Sequence, residues 1–140
     1  MGKKGCAASM KTMREKVTEY IREAYSVEPD YPFKGLPECP VFRHASTRKW
    51  FGLIMEVPRR RLGLCGDEAV PILDIKCPPM LAGSLRMQEG ILPAYHMNKD
   101  SWITVLLDGS VPEETVFPLI DLSFELTRKA VRRKKQDPTD

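Results

Sequence analysis

The sequence contains few of the residues and motifs on which catalytic and metal sites are usually built. It has two histidines and four cysteines in 140 residues, with no Cys-x-x-Cys pair and no zinc-finger spacing. It also lacks a glycine-rich phosphate loop, a Gly-x-Ser-x-Gly motif and a paired-carboxylate motif. These absences exclude the motif-defined enzyme classes. We expect a protein that is not an enzyme and that uses no metal and no cofactor.

Long apolar runs are missing as well. No stretch approaches the roughly 18 apolar residues that are typical of a membrane span. Two lysines near the N-terminus are followed by no long apolar region, which argues against a secretory signal. The opening Met-Gly resembles a myristoylation site only loosely, because Cys6 stands where Ser or Thr is usual. We therefore expect a cytoplasmic protein with no membrane partner.

The cysteines are widely separated in the sequence, at Cys6, Cys39, Cys65 and Cys77. This spacing favours reduced, inert thiols over a disulfide framework. A metal site formed in three dimensions by Cys39, His44 and a later residue stays open as an alternative.

Charge is nearly balanced. Lysine and arginine total 22 against 19 acidic residues, giving a net charge of +3 and a sequence pI near 8.7. Dedicated DNA-binding domains often exceed a pI of about 9, so composition favours nucleic acid only weakly. With 42% hydrophobic residues, the chain can bury the core of one domain. We expect a single monomeric domain over residues 1–140, with frayed ends at about 1–8 and 134–140.

The first half of the chain predicts a helix followed by strands. Apolar residues from Met10 to Ala24 recur at spacings of three and four, which indicates an amphipathic helix with Ser9 as its N-cap. Three prolines then interrupt the chain before the strand candidates, which lie at residues 41–43, 49–57 and 70–76.

The second half of the chain predicts a short helix, then one or two further strands and a long helix. Pro78-Pro79 favours a helix start, and Gly90 an end. Residues 91–93 return the chain to the sheet, and residues 102–107 form the last strand. Ser110 and Glu113 match a capping box that opens the terminal helix. Pro118 would interrupt this helix, so we expect a short first turn and then a main helix that starts near Pro118.

Strands that follow one another with hairpin-length links favour an α+β fold. We expect a two-layer domain in which helices pack on one face of an antiparallel sheet. The side chain of Trp102 should then be buried against the terminal helix, near Leu119 or Ser123.

The most informative segment is Tyr95-His-Met-Asn-Lys99, followed by Trp102 and a strand that ends in Leu107-Asp-Gly109. It closely resembles the signature of the MmcQ/YjbR-like family. Supporting similarities lie at Asp30-Tyr-Pro-Phe33, Val41–Arg43 and Leu73-Asp-Ile-Lys-Cys77, and the match extends over about residues 10–129. Pro118 and an insertion at about residues 38–47 depart from the pattern. The resemblance implies an α+β fold grouped with secretion-chaperone-like two-layer domains, and a presumed DNA-binding role without an established reaction.

The residue types of this segment also suit nucleic acid. Lysines neutralise phosphates, histidine and asparagine donate hydrogen bonds, and aromatic rings stack on bases. Three consecutive arginines at a predicted hairpin tip would extend the basic surface. The candidate DNA-binding residues are Lys99, Asn98, His96, Tyr95, Lys76, Arg59, Arg60 and Arg61. The basic run from Arg128 to Lys135 is interpreted instead as a solvated helix end that compensates the helix dipole.

Other interpretations stay open. Tyr95 and Trp102 are more typical of core and rim packing than of base stacking, and His96 and Asn98 can simply satisfy backbone groups in a tight loop. An enzyme would use His96 as a base oriented by Asp108 or Asp74, with Cys77 as nucleophile. The chaperone-like fold group suggests a protein-binding adaptor, and a small-ligand-binding module without catalytic activity is the remaining alternative.

Overall fold

The computed structural model describes residues 11–33, 35 and 39–128. The helices are α1 (Met13–Tyr25), α2 (Pro79–Leu85) and α3 (Glu113–Arg128), with a short 3₁₀ helix at Arg59–Leu62. The strands are β1 (Val41–Arg43), β2 (Trp50–Pro58), β3 (Ala69–Lys76), β4 (Ile91–Pro93) and β5 (Trp102–Leu106). The predicted order of elements is confirmed. The ends predicted to fray lie outside the described residues.

The strands form one five-stranded sheet in the order β1-β2-β3-β5-β4, and every neighbouring pair is antiparallel. β3 lies at the centre, where its residues pair with β2 on one side and β5 on the other. One face of the sheet carries the main core, and all three helices contribute to it. Its buried side chains include Val17, Ile21, Phe42, Phe51, Leu73, Ile75, Ala82, Ile103, Val116 and Ile120. The predicted two-layer α+β fold is therefore confirmed.

The opposite face of the sheet is covered by connecting segments. Two smaller apolar clusters lie there, one around Val70 and Ile72 and the other around Val41 and Leu53. Side chains from the 3₁₀ helix and from the β4–β5 connector, among them Leu62 and Tyr95, pack against the first cluster. We call this side of the sheet the loop face.

β2 contains an irregularity at Phe51 that alternation along residues 49–57 does not predict. Phe42 pairs with Gly52 and Arg43 pairs with Trp50, so Phe51 lacks a partner on β1. The extra residue turns the Phe51 ring into the helix-side core. The Ser123 hydroxyl of α3 donates to the Phe51 carbonyl over 2.6 Å and accepts from the Lys76 amide over 2.9 Å.

α1 is capped by a residue that the sequence pattern did not select. Thr12 is the N-cap, and it forms a capping box in which its hydroxyl accepts from the Glu15 amide over 3.2 Å. The Glu15 carboxylate accepts from the Thr12 amide over 2.9 Å in return. The prediction of Ser9 as N-cap is wrong, because the helix begins at Met13; Ser9 itself lies outside the described residues.

The start of α3 also differs from the prediction. Ser110 is not its N-cap, because the Ser110 hydroxyl donates to Asp108 and the helix begins three residues later. Nor does a main helix start at Pro118, which lies exposed inside a continuous α3. Val116 before the proline is buried, and so are Leu119 and Ile120 after it. Their burial holds the backbone helical although one hydrogen bond is lost.

Candidate nucleic-acid interface

The loop face carries a cleft between the 3₁₀ helix and the β4–β5 connector. Its volume is about 350 Å³, and its lining residues are Arg61, Leu62, Pro93, Ala94, Tyr95, His96 and Lys99. Only two short chain segments supply these residues. We call this the Arg61–Lys99 cleft after the two cations that line it, one from each segment. It contains four of the eight predicted DNA-binding residues.

The backbone of the β4–β5 connector sets the aromatic wall of the cleft. His96 has a left-handed backbone conformation, with φ at +62°. The Tyr95 and His96 ring centroids lie 4.0 Å apart with the ring planes tilted by 50°. Tyr95 is half-buried because its ring also packs on the Val70 cluster, whereas His96 is exposed. The wall is thus an aromatic pair with one anchored and one solvent-facing ring.

Lys99 is exposed at the far end of the same connector. Its backbone is fixed, since its carbonyl accepts a hydrogen bond from the Arg86 guanidinium over 3.1 Å. Its ammonium makes no ion pair within the described residues. The side chain is therefore available to bind an anion in the cleft.

The three consecutive arginines have different surroundings. Arg59 donates from Nε to the Cys65 carbonyl over 2.9 Å and lies 3.6 Å from an Asp108 oxygen. Arg60 pairs with Asp67 at 3.1 Å. Arg61 is exposed and lines the cleft, with no ion pair in the described part of the chain. The three do not project together as one basic tip, because two of them bind their own hairpin or a neighbouring loop.

Asn98 and Lys76 lie outside the lining of the cleft. The Asn98 side-chain oxygen accepts from the Asp100 amide over 2.8 Å, and its carbonyl accepts from the Ser101 and Trp102 amides. Asn98 thus shapes the turn before β5. Lys76 is half-buried at the end of β3, where it pairs with Trp102 in the sheet register.

The predicted location of Trp102 is wrong. Its strand neighbours Ile103 and Val105 belong to the helix-side core, so alternation directs Trp102 to the loop face. The ring is half-buried there and does not pack on Leu119 or Ser123. The error arises from register, because a shift by one residue exchanges the two faces of a strand.

A buried carboxyl group lies beneath the connector and was not among the predicted binding residues. Asp74 is fully buried in the centre of β3, and its Oδ1 accepts from the Thr104 hydroxyl over 2.5 Å. The Thr104 hydroxyl oxygen accepts in turn from the Tyr95 amide over 2.9 Å. Asp74 Oδ2 has no hydrogen-bond partner among the described residues. Burial raises the pKa of Asp74 to about 7, although Thr104 and the charge of Lys99 act in the opposite direction.

The residues of the enzyme interpretation do not meet. Asp108 bonds to Ser110 and Arg59, and Asp74 bonds to Thr104, so neither carboxylate orients His96. Cys77 is buried in the helix-side core, where burial raises the pKa of its thiol.

The possible metal pair Cys39 and His44 is also divided. Cys39 packs with Val41 and Leu53 on the loop face. His44 lies on the helix side, where its Nε2 is 2.7 Å from the Thr127 hydroxyl and its ring contacts Phe124. Burial lowers the pKa of His44. Within the described ranges, no three metal-ligating side chains gather at one point.

None of the helices in the described residues has the length and apolar character needed to cross a membrane.

Comparisons with known proteins agree with the fold. Residues 22–126 match the YjbR family. The uncharacterized protein YyaQ of Bacillus subtilis is 44% identical over 115 residues, which are 82% of this chain and 98% of that protein. The uncharacterized Escherichia coli protein YjbR is 36% identical over 76 residues, 54% of this chain and 56% of that protein. A crystal structure of a Pseudomonas syringae protein superposes with a TM-score of 0.81 at 44% identity, covering 82% of this chain and 98% of that one. The chain therefore belongs to the YjbR family.

Proposed function

We propose that this protein binds DNA through phosphate contacts in the Arg61–Lys99 cleft and that it has no catalytic activity. The observation that carries the proposal is the pair of exposed cations that line one cleft, one from each of its two chain segments, neither of them in an ion pair within the described residues. A guanidinium binds phosphate oxygens in a bidentate manner, and an ammonium binds them as a point charge.

The aromatic wall supports the same function. Successive bases of nucleic acid stack on aromatic side chains without sequence preference, and the exposed His96 ring against the anchored Tyr95 ring offers such a platform. The cleft therefore combines two cations, which can bind the phosphate backbone of DNA, with an aromatic wall on which a base can stack. Neither the phosphate contacts nor the stacking depends on the base sequence of the DNA, so we expect weak and non-specific binding.

The proposal predicts the effect of single substitutions on DNA affinity. At low salt the protein should bind a fluorescent oligonucleotide with a Kd of about 10⁻⁴–10⁻⁶ M. Arg61→Ala or Lys99→Ala should weaken binding and should flatten the plot of log affinity against log salt by about one phosphate contact. Fluorescence anisotropy over a series of salt concentrations measures both quantities.

Two cations that do not line the cleft serve as matched controls. Arg60 is adjacent in sequence but is paired with Asp67, and Lys49 is exposed at the β1–β2 turn. Arg60→Ala and Lys49→Ala remove the same net charge as the cleft variants but leave the cleft intact. If Arg61→Ala and Arg60→Ala bind equally well, the contact is not in the cleft. If the native protein does not bind DNA at low salt, the proposal fails.

A protein-binding adaptor is the second candidate, and exposed apolar side chains around α2 favour it. Met80 and Met87 are both 85% exposed, and Leu81 is 42% exposed. Large contiguous apolar patches are typical of protein-interaction sites, and these three exposed side chains lie within eight residues of one another in the sequence. Absence of DNA binding by the native protein at low salt would make this the better function.

A further inference from the structure

The Arg61–Lys99 cleft has the dimensions of a pocket for one ligand unit. Its volume of about 350 Å³ lies near the lower end of the range of about 300–1,000 Å³ for small-ligand sites. Among the described residues, its lining comes from residues 61–62 and from residues 93–96 and 99. The phosphates of a duplex lie along the outside of a rod, and a cleft this small cannot enclose such a rod. A single nucleotide at the end of a strand can enter it.

The charges in the cleft match a dianion better than a monoanion. Arg61 and Lys99 supply two positive charges, and exposed His96 can add a hydrogen bond. An internal phosphodiester carries one negative charge, whereas a phosphomonoester carries about −1.5 to −2 at neutral pH. Asp74 lies beneath the connector; because burial raises its pKa to about 7, it opposes the anion little below that pH.

The remaining walls suit the rest of a nucleotide. Leu62, Pro93 and Ala94 provide an apolar side next to the Tyr95 ring. A sugar and base can pack against these groups while the phosphate lies between the two cations. The cleft thus offers both cations for a phosphate and an apolar side for a sugar and base.

We infer that the Arg61–Lys99 cleft binds the terminal phosphomonoester of a nucleotide or nucleic-acid strand in preference to an internal phosphodiester. The inference rests on the proposed DNA binding and specifies the chemical group that enters the cleft. Two sources share this chemistry, the phosphorylated end of a strand and a free mononucleotide.

The test compares single-stranded oligonucleotides of one sequence with and without a terminal phosphate, with the phosphate placed at the 5′ end in one set and at the 3′ end in another. A fluorophore at the opposite end reports binding by anisotropy. We expect the phosphate at one of the two ends to raise affinity by roughly tenfold, because the extra negative charge of the terminal group strengthens its charge-assisted contacts with the two cations. Arg61→Ala and Lys99→Ala should each remove this gain, and Arg60→Ala should keep it. Circular dichroism melting verifies that the variants fold.

Competition distinguishes the two sources of the group. If adenosine monophosphate displaces the phosphorylated strand at concentrations near its own Kd and inorganic phosphate does not, a free mononucleotide is a sufficient ligand. If it competes poorly, the strand end is the ligand. Both results support the inference.

Other outcomes separate this inference from the proposed function. Equal affinity for phosphorylated and unphosphorylated strands, with both weakened by Arg61→Ala, would overturn the inference and leave DNA binding in place. Binding of adenosine monophosphate that depends on Arg61, without any binding of DNA, would overturn the proposed function alone. Binding of neither ligand would overturn both.

Discussion

Replacing Asp74 with asparagine should stabilise the protein at about pH 8 and change its stability little at about pH 4. Asp74 is fully buried, and its pKa rises from 3.8 to about 7 on folding. Between these values the unfolded state releases the proton while the folded state retains it, so the native protein loses stability as pH rises through this window. A shift of this size corresponds to on the order of 4 kcal/mol. Asparagine does not titrate and avoids that loss.

Asparagine has nearly the same shape as aspartic acid with its carboxyl group protonated. The two proteins therefore differ mainly in whether the side chain at position 74 can ionise. Its side-chain oxygen can still accept from the Thr104 hydroxyl, and its amide takes the place of Oδ2, which has no partner. Urea unfolding of both proteins across the pH range measures the difference, in which the contributions of all other groups cancel. The exposed carboxylate of Asp100 provides the control, because Asp100→Asn makes the same chemical change outside the core. A parallel profile for Asp74→Asn would show that the buried carboxyl does not titrate in this window.

The second large effect is expected at Phe51. Its ring is fully buried and lies in contact with the rings of Tyr25, Phe42, His44 and Phe124. Phe51→Ala should lower the free energy of unfolding by about 3–5 kcal/mol, because neighbours held by both the sheet and α3 cannot collapse into the cavity. Trp102→Ala serves as the comparison, since the larger Trp102 ring is only half-buried on the loop face. We expect it to cost roughly half as much or less.

Urea denaturation of the two variants decides the point. A loss for Trp102→Ala that equals or exceeds that for Phe51→Ala would mean that the loop face carries as much of the packing energy as the helix face. The assignment of the main core to the helix side would then be incorrect.

The fold was predictable because its signals are local. The strands and helices have clear apolar periodicity, and their order favours an antiparallel sheet with helices on one face. The bulge at Phe51, the face of Trp102 and the continuity of α3 through Pro118 were not predictable in this way. Each depends on which groups lie opposite in the folded protein, and tertiary burial overrides local preference at such points.

The candidate site was predictable in its chemistry but only partly in its geometry. Tyr95, His96 and Lys99 share one connector, so their proximity follows from the sequence. The pairing of Arg60 with Asp67 and of Arg59 with Asp108 depends on loop positions that the sequence does not encode in any short pattern. One signal for Asp74 was available, since a single acidic residue within the apolar run Ile72-Leu73-Asp74-Ile75 indicates a buried carboxyl.

The hydroxyl of Ser123 has a consequence for hydrogen exchange. The paired residues of β2 and β3 end at Gly52 and Ile75, and the next two backbone groups, the Phe51 carbonyl and the Lys76 amide, both bond to Ser123 instead. The Lys76 amide is therefore protected from deuterium by α3 and not by a neighbouring strand. Its exchange rate reports how often α3 separates from the sheet, while the amides of residues 72–75 report the opening of the sheet itself.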